Sequence, residues 1–397
     1  MKLAARAMGL GPSATVAITS RAKALAAAGV DVVSMSAGEP DFATPDFVIA
    51  ATVASLHRGE TGYAPAGGVP ALRAAVAARF GREYGLPFAP EDVVVTVGGK
   101  EALYDLFQVL VDPGDEVLVP APYWVSTPTQ IALAGGVPVP VPCDPARGLV
   151  LDLEALERAI TPRTVGVVLN SPNNPSGAVY DLASLGAVAD LAARHDLFIV
   201  SDDLYSALRY DGVPFASVLH ARPELRDRVF IVHGVAKTWA MPGFRVGFLA
   251  GPRAALARVM ALQSQSVTGA TTFAQHGALA AIAGDDAFLA GWLATYDARR
   301  HAVHAALGAI PGIRCSLPVG AFYAFPDVRG LFGRRCGGVP IADDVHLAEL
   351  LLEHARVALV PGAAFGAPGF VRLSYALASH HLALGLERLA DFVRALD

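Results

Sequence analysis

The chain has 397 residues, of which 53% are hydrophobic and 17% are charged, and its formal net charge is −5. This composition argues against a disordered chain, and the negative charge argues against a basic surface that binds nucleic acid. Because single hydrophobic cores stop growing at about 250–300 residues, the length predicts two domains.

Local sequence disfavours two further classes of protein. No stretch of about 18 uncharged apolar residues occurs, so no membrane span is predicted, and Arg6 interrupts the N-terminal apolar run, which argues against a signal peptide. The three cysteines, Cys143, Cys315 and Cys336, are far apart and lack CxxC spacing. They are typical of reduced thiols in a cytoplasmic protein and predict neither a disulfide framework nor a metal site.

The hydrophobic pattern alternates between strands and helices along the chain. Apolar residues at helical spacing predict helices at residues 69–84, 101–110, 181–195, 286–308 and 379–396. Short runs rich in β-branched residues predict strands at 92–97, 116–119, 165–169, 197–201, 229–232 and 244–249. Strands of this kind between helices indicate an α/β fold with a mostly parallel central sheet flanked by helices.

The pattern changes after the predicted helix at 286–308. Extended AFYAFPDV, helix-like DDVHLAELLLEHA and strand-like VALV and FVRLSYA follow it. We therefore predict a large domain at residues 46–285 and a smaller α+β domain formed by residues 1–45 and 286–397, with the long helix as the hinge.

A candidate anion site follows the first predicted strand, which runs into Gly98 and Gly99 and then into a helix. Two glycines let backbone N–H groups approach a phosphate closely, and the helix N-terminus adds positive potential. The same sequence also fits an ordinary tight connection. Lys100 lies in the first helical turn, where a cation is disfavoured. Either an anionic ligand faces this lysine, or the lysine is exposed and only tolerated.

Polar side chains also follow two later strands. Asn174 lies in the turn NSPNNPSG (170–177), and Asp202 ends the strand before SDDLY (201–205). Ligands of open parallel sheets bind at the carboxyl ends of the strands, so both side chains are candidates for ligand contact. The alternative for Asp202, and for Asp203, is that the carboxylate caps the next helix.

One lysine and one arginine lie in the apolar stretch GVAKTWAMPGFRVGF (234–248). An ammonium among apolar neighbours loses hydration unless a ligand or a reaction uses it. Taken alone, Lys237 also fits a strand-end lysine whose charged head reaches water.

Eight motifs occur in an order that resembles the class I aminotransferases, which are pyridoxal-phosphate enzymes of fold type I. The motifs are SAGEPDF (36–42), YAPAGG (63–68), VTVGGKEAL (95–103), APYWVS (121–126), NSPNNPSG, SDDLY, AKTWAMPGFRVG (236–247) and FVRLSYA (370–376). The resemblance covers nearly the whole chain and, with PSATVA (12–17), is greatest to the bacterial aspartate aminotransferase branch.

The resemblance implies pyridoxal 5'-phosphate as cofactor and a homodimer with its active sites at the subunit interface. Lys237 would bind the cofactor covalently and carry protons, Asp202 would keep its ring nitrogen protonated, and Arg245 would hold its phosphate. The other implied cofactor contacts are Gly98 and Gly99 at the phosphate, Trp124 on the ring face, Asn174 and Tyr205 at the phenolic oxygen, and Tyr63 from the partner subunit.

The resemblance also implies amino transfer from aspartate or glutamate to a 2-oxo acid, in a ping-pong cycle with Lys237, Asp202 and Tyr205 as catalytic residues. Arg372 would bind the substrate α-carboxylate, and Gly38 would allow close approach on the other side. Lys100 would bind the distal carboxylate. The remaining implied substrate contacts are Ser13, Thr15, Trp124 and Asn174.

The chain departs from the family pattern at three places. Gly234 replaces a serine that contacts phosphate in many relatives, Gly269–Ala270 replaces a Ser-Pro-like pair, and Asp203 replaces a commoner glutamate. These departures leave open an aminotransferase of aromatic, prephenate or alanine specificity, or a β-lyase. A non-enzymatic sensor is disfavoured by the net negative charge.

Overall fold

The structure is a computed structural model that describes residues 1–11 and 13–397. Pro12 of the PSATVA motif lies outside these residues. The helices are α1 Ala5–Met8, α2 Ala14–Ala27, α3 Asp46–His57, α4 Pro70–Tyr84, α5 Gly99–Leu110, α6 Thr127–Leu133, α7 Leu153–Arg158, α8 Leu182–Arg194, α9 Val218–Ala221, α10 Arg253–Ser266, α11 Thr272–Ala283, α12 Ala287–Gly308, α13 Asp344–Leu350 and α14 Ser379–Arg394.

The strands are β1 Val33–Ser34, β2 Val93–Thr96, β3 Glu116–Ala121, β4 Val137–Pro142, β5 Thr164–Asn170, β6 Phe198–Asp202, β7 Val229–Gly234, β8 Gly247–Ala250, β9 Tyr323–Ala324, β10 Arg335–Cys336, β11 Val339–Pro340, β12 Val357–Ala358, β13 Val360–Pro361 and β14 Val371–Ser374. All five predicted helices are present, with ends shifted by two residues or fewer.

The predicted α/β fold with a mostly parallel central sheet is confirmed. A seven-stranded sheet has the order β2-β8-β7-β6-β5-β3-β4, and β8 is its antiparallel strand. Successive residues of β2 face opposite sides: Val93 and Val95 join one apolar cluster, and Val94 joins another. Because helices cover both faces, the strand needs apolar residues at every position, which explains the continuous run VVV.

Two predicted strands differ from the observed ones. The strand expected at 244–249 begins only at Gly247, because Arg245 takes a left-handed conformation (φ 54°, ψ 52°) that no strand accommodates. The strand expected at VALV is divided at Leu359. Its first half, β12, pairs in parallel with β1, and its second half, β13, pairs antiparallel with β14.

A separate apolar cluster lies outside the seven-stranded sheet. It combines Val33 and Met35 with side chains of α12, α14 and the three-stranded sheet β13-β14-β9. The cluster also includes Tyr205, Leu208 and Tyr210 from the middle of the chain. The domain boundaries at residues 46 and 286 stay a prediction.

No single helix in residues 1–11 and 13–397 is long and apolar enough to cross a membrane. The pair α11 and α12 meets the length and composition criteria only when the two are taken together, and it is bent by 85°.

Asp105 of α5 is a carboxyl group that the packing isolates from water. Its side chain is 0% exposed, and neither carboxyl oxygen has a hydrogen-bond partner among the described residues. Burial, and secondarily the charge of Glu101, raises the pKa of Asp105 to about 7.

Substituting Asp105 by asparagine is therefore expected to change how stability depends on pH. Between about pH 4 and pH 7 the unfolded chain releases this proton while the folded chain keeps it, so stability falls as pH rises. Asp105→Asn removes this loss of stability. The free energy of unfolding of the variant minus that of wild type should therefore be about 1–3 kcal/mol greater at pH 7 than at pH 5. Thermal and urea unfolding at both pH values measure the difference. The exposed Asp112→Asn is the control, and an equal Asp105→Asn effect at both pH values would contradict the expectation.

Candidate active site

The carboxyl edge of the seven-stranded sheet brings the polar strand ends together. β5 ends at Asn170 and β6 at Asp202, and these two residues are partners in the strand register. β7 ends at Gly234 opposite Gly247 of β8, and Gly247 also pairs with Thr96 at the end of β2. The turns that follow β2, β5, β6 and β7 therefore open on one edge, where ligands of such sheets bind.

A cavity of about 230 Å³ lies at this edge. Twelve of the fourteen site residues predicted from the sequence line it: Ser13, Thr15, Gly38, Gly99, Lys100, Trp124, Asn174, Asp202, Tyr205, Lys237, Arg245 and Arg372. Its charged lining consists of four cationic side chains and one carboxylate. The cavity therefore favours a ligand that carries several negative charges.

Lys237 places its amine inside the cavity. Nζ donates a hydrogen bond to the carbonyl oxygen of Gly38 and lies 5.5 Å from the ring centre of Tyr205. Burial, followed by repulsion from Arg372, lowers the pKa of Lys237 to about 8. A large fraction of this amine is neutral near pH 8, which makes it a nucleophile where an ordinary lysine is protonated.

Asp202 is a buried carboxylate at the end of β6, with 7% of its surface exposed. Burial raises its pKa to about 7, and a hydrogen bond from the Leu204 N–H and the charge of Lys237 act in the opposite direction. That N–H lies 3.4 Å from Oδ1, and a turn follows rather than a helix. Asp202 therefore does not cap a helix, and a cationic ligand group would stabilise its charge.

Arg372 on β14 is almost completely buried, with 1% exposed. Its Nη1 donates to Asn174 Oδ1 at 3.0 Å and its Nη2 donates to the Ser36 carbonyl at 2.6 Å. The guanidinium carbon lies 4.6 Å from the ring centre of Tyr323 and 5.1 Å from that of Phe365. These contacts fix a planar cation at the cavity wall, which suits two-point binding of a carboxylate.

Gly38 forms the wall that faces this guanidinium. A Cβ at this position would lie 3.2 Å from Tyr323 Oη and 3.9 Å from both terminal nitrogens of Arg372. Since 3.2 Å is closer than carbon and oxygen normally pack, a side chain here would displace the tyrosine hydroxyl. Tyr323 Oη also lies 2.8 Å from Tyr205 Oη, which links the two sides of the cavity.

The corner beside β2 combines a guanidinium with a helix N-terminus. Gly98 has a φ of 82°, which favours glycine, and a Cβ there would lie 2.6 Å from Arg245 Nη2. A Cβ at Gly99 would lie 2.7 Å from Leu204 Cδ1, so a side chain at either position would displace a neighbour that lines the cavity. Arg245 is exposed and donates to the carbonyl oxygens of Pro242 and Val97. The first N–H groups of α5 have no partner within the helix, so this corner can bind an anion.

Lys100 is the second residue of α5 and so lies in the first helical turn, as predicted. Its surface is exposed overall, but its Nζ lies 5.0 Å from the ring centre of Trp124 at the cavity wall. The partial loss of water around the amine, followed by repulsion from Arg245, lowers the pKa of Lys100. Ser13 and Thr15 line the same cavity. Lys100 thus provides a second cationic group, separate from the Arg372 guanidinium, where a distal carboxylate can bind.

The two other predicted site residues lie outside the cavity lining. Gly98 is not part of the lining but lies next to Arg245, which is. Tyr63 is 93% exposed, so within this chain it contributes nothing to the cavity.

Sequence reasoning missed several residues that shape the site. Asn170 lines the cavity, and its Oδ1 accepts from the Asn174 N–H at 2.8 Å. It lies in the same NSPNNPSG turn that pointed to Asn174. Tyr323 and the Ser36 carbonyl come from distant parts of the chain and have no local signal. At Gly234, a Cβ would lie 3.1 Å from both Gly247 Cα and the Val246 carbonyl oxygen.

A cluster with metal-ligand chemistry lies away from this cavity. Ligand atoms of Asp211, Asp297 and His301 lie within 4.8 Å of one another. The buried guanidinium of Arg300 already donates to both carboxylates. The cluster is therefore an ion-pair network in which Arg300 supplies the positive charge.

Comparison with known proteins finds aminotransferases both by family model and by sequence similarity. The family model of class I and II aminotransferases matches residues 30–389. The chain is 44% identical to the aspartate aminotransferase of Geobacillus stearothermophilus, with 100% of both chains covered. It is 45% identical to the aspartate/prephenate aminotransferase of Thermus thermophilus, with 98% of both covered.

Solved structures agree with the sequence relatives. The aspartate aminotransferase of Rhizobium meliloti superposes with a TM-score of 0.96 at 38% identity over 100% of both chains. The Thermus thermophilus aspartate aminotransferase with maleate superposes with a TM-score of 0.93 at 44% identity, over 99% of this chain and 100% of that one. This chain therefore belongs to the class I and II aminotransferases and has the fold of the type I pyridoxal-phosphate enzymes.

Proposed function

We propose that this protein transfers the amino group of aspartate or glutamate to a 2-oxo acid, using pyridoxal phosphate bound in the 230 Å³ cavity. The single observation that carries the proposal is the arrangement of charges in that cavity. One nucleophilic lysine and one buried carboxylate share it with three further cations, Lys100, Arg245 and Arg372. A phosphate and a dicarboxylic substrate together supply the negative charges that these cations need.

The residues fit the cofactor that the family uses. The carboxylate of Asp202 is buried with one weak hydrogen bond from the protein, which suits a protonated ring nitrogen. Gly98 and Gly99 carry no side chain that would displace Arg245 or Leu204, and their backbone lies beside the guanidinium and helix N-terminus that suit a phosphate. Trp124 offers its ring for stacking, and Asn174 and Tyr205 offer polar groups for the phenolic oxygen.

The mechanism assigns a task to each of the chain's own groups. Bound pyridoxal phosphate supplies an electron sink for the charge that develops at the substrate α-carbon. Arg372 binds and orients the α-carboxylate, so that the α-hydrogen faces Lys237. Lys237 Nζ, once free, accepts the proton from the α-carbon and later returns it. Asp202 provides the fixed negative charge that keeps the electron sink effective.

The proposed cycle has two halves that use the same groups. A first amino acid leaves as a 2-oxo acid, and a second 2-oxo acid then enters and leaves as an amino acid. Arg372 binds the carboxylate that every amino acid and 2-oxo acid carries next to the reacting carbon, and Lys100 binds the distal carboxylate of those substrates that have one. Lys237 reverses the direction of proton transfer in the second half.

We also propose that the active protein is a homodimer to which each subunit contributes Tyr63 at the partner's phosphate site. The 93% exposure of Tyr63 supports this, because a large aromatic side chain is costly to leave in water. Ile49, Val53 and Leu56 form an exposed apolar row on α3 at i, i+4, i+7 spacing. Their exposed fractions of 42–44% fit a surface that a second copy covers.

The proposed division into residues 46–285 and residues 1–45 with 286–397 suits this site. Lys237, Asp202 and Arg245 belong to the first part, whereas Gly38 and Arg372 belong to the second. Most members of the two large apolar clusters follow this division, although Tyr205, Leu208 and Tyr210 join the second cluster and Phe325, Val360, Phe365 and Phe370 join the first. The site then lies where the two domains meet, a common place for ligand sites.

Substrate choice is tested by the half-reaction of the protein loaded with pyridoxal phosphate. Lys100→Ala is expected to lower the reactivity of aspartate and glutamate about 10- to 100-fold, since one charge-assisted hydrogen bond contributes about 1.5–3 kcal/mol. Alanine and phenylalanine should be unaffected. The absorption change at a series of amino acid concentrations measures this, and Lys100→Arg is the matched control that keeps a cation.

The same experiment separates the alternative specificities. Prephenate is tested against the aminated protein, because some relatives are named for it. A protein that reacts best with alanine, phenylalanine or prephenate, and equally well after Lys100→Ala, would contradict the proposed preference for aspartate and glutamate.

A further inference from the structure

Residues 36–42 connect the candidate active site to the long helix α12. At the start of this segment, the Ser36 carbonyl accepts a hydrogen bond from Arg372 at 2.6 Å, and the Gly38 carbonyl accepts one from Lys237. Three residues after Gly38, the segment reaches Asp41, which contacts α12 instead. A shift of α12 would therefore move the 36–42 segment, whose carbonyl oxygens accept hydrogen bonds from Arg372 and Lys237.

The contact with α12 is an ion pair supported by an aromatic stack. Arg299 Nη1 lies 2.9 Å from both carboxylate oxygens of Asp41. The Arg299 side chain is 9% exposed and that of Asp41 is 20% exposed. Next to them, Phe42 stacks on Trp292 with ring centres 4.5 Å apart and planes 4° from parallel. The ion pair and the aromatic stack together fix the end of the 36–42 segment against α12.

Arg299 also contacts the segment that follows the carboxylate-binding strand. Its Nη1 donates to the Tyr375 carbonyl at 3.4 Å, and its Nε donates to Ser379 Oγ at 3.3 Å. Tyr375 lies three residues after Arg372. The buried Arg299 guanidinium therefore contacts both the 36–42 segment and the segment after β14. These are the same two segments that are joined by the hydrogen bond from Arg372 to the Ser36 carbonyl.

We propose that Arg299 and Asp41 form a positioning pair that sets the placement of the 36–42 segment, and of the Arg372 side chain that donates to it, for binding of the substrate α-carboxylate. Neither residue touches the cavity, so they act through the Gly38 and Ser36 carbonyls and through β14. This inference rests on the proposed role of Arg372 in carboxylate binding. Two-point binding of a carboxylate depends on the orientation of the guanidinium fork, so a loosened pair should weaken substrate binding measurably.

The neighbouring arginine provides a matched control. Arg300 follows Arg299 on α12, is buried, and pairs with Asp297 at 2.6 Å and with Asp211. Its carboxylate partners contact no residue of the cavity lining among the described hydrogen bonds and ion pairs. Asp41→Asn and Asp297→Asn thus each remove one charge from an ion pair with a buried arginine of the same helix, and only the first should affect the substrate site.

The test compares Asp41→Asn, Arg299→Gln, their double variant, Arg299→Lys and Asp297→Asn, all loaded with pyridoxal phosphate. Two readouts are used: kcat and KM for aspartate, and the Kd of maleate, an unreactive dicarboxylate, from the absorption change on titration. In Asp41→Asn and Arg299→Gln we expect KM and the maleate Kd to rise about tenfold while kcat changes less than about threefold. Arg299→Lys should recover part of the loss, and Asp297→Asn should match wild type.

Coupling between the two residues is the decisive feature. If they act as a pair, the double variant has nearly the same Kd as either single variant. The proposal is overturned if Asp41→Asn leaves the Kd unchanged, if Asp297→Asn raises it equally, or if the two single effects multiply. Arg299→Gln removes a buried cation and could prevent folding. Asp41→Asn leaves Arg299 its two other acceptors, the Tyr375 carbonyl and Ser379 Oγ, so this variant alone can still decide the test.

The two readouts also separate this proposal from the proposed function. A wild-type protein that turns over no aspartate contradicts the proposed function, whatever the variants do. A wild-type protein that is active on aspartate, with variants of unchanged KM and Kd, contradicts the positioning pair alone.

Discussion

Replacing Lys237 with alanine is expected to lower the rate of amino transfer by about 10⁴-fold or more, because one side chain serves as both the nucleophile and the proton carrier. No other amine can take its place. The chain has four lysines: Lys2 and Lys23 are exposed near the N-terminus, and Lys100 lies over Trp124. The initial rate of 2-oxoglutarate-dependent consumption of aspartate, with added pyridoxal phosphate, measures the effect.

Two controls identify the cause of this loss. Lys237→Arg keeps a cation at the same place but no nucleophilic amine, and it should be as inactive as the alanine variant. Small primary amines such as methylamine should restore part of the Lys237→Ala activity, because they supply a free base in the space left by the side chain. Full activity of Lys237→Ala would refute the mechanism.

Arg372→Lys should have the second largest effect, a fall in kcat/KM of about 10²–10³-fold for every amino acid substrate alike. The guanidinium donates to two acceptors and contacts two aromatic rings. A lysine keeps the charge but has neither the planar fork nor the stacking surface, and its ammonium is more costly to bury. Two charge-assisted hydrogen bonds to the α-carboxylate account for a loss of this size.

The substrate panel distinguishes this variant from one at the distal end of the cavity. Arg372→Lys should reduce kcat/KM for alanine, aspartate and phenylalanine by similar factors. Lys100→Ala should reduce it only for aspartate and glutamate. Circular dichroism and the thermal midpoint check that the buried substitution leaves the fold intact. A folded Arg372→Lys protein that loses less than about threefold in kcat/KM would contradict the assigned role.

Sequence reasoning succeeded where chemistry and local structure occur in the same few residues. The turns after β2, β5 and β6 each combine an apolar strand with a glycine, amide or carboxylate at its end, and the register of a parallel sheet then brings these ends together. Asp202 and Asn174 were found in this way from their own neighbours. Lys237 needed the family resemblance, because a lysine at the end of an apolar run also fits an ordinary surface side chain.

Features that depend on distant contacts had no local signal. Tyr323 reaches Tyr205 Oη across 118 residues, and Ser36 meets Arg372 across 336 residues. The strand expected at 244–249 begins late because Arg245 adopts a left-handed conformation beside Gly98, which the apolar pattern does not show. The helices α2, α3, α10 and α11, each of twelve residues or more, were also not predicted.

Tyr63 illustrates a different limit. The motif YAPAGG identified this residue, yet the side chain is 93% exposed within its own chain. Its proposed contact lies in a second copy of the protein, so neither the hydrophobic pattern nor the fold of one chain can reveal it. The exposed row on α3 is the physical feature that makes a partner surface reasonable.

The most direct test of the account is borohydride trapping of the protein loaded with pyridoxal phosphate, with and without prior addition of aspartate. Reduction should attach the cofactor to Lys237, and because trypsin then no longer cleaves there, residues 229–245 should appear as one peptide carrying the added mass. Prior aspartate should sharply reduce this peptide, because the amino acid displaces the lysine. Attachment at another lysine, or a yield on Lys237 that aspartate leaves unchanged, would contradict the account.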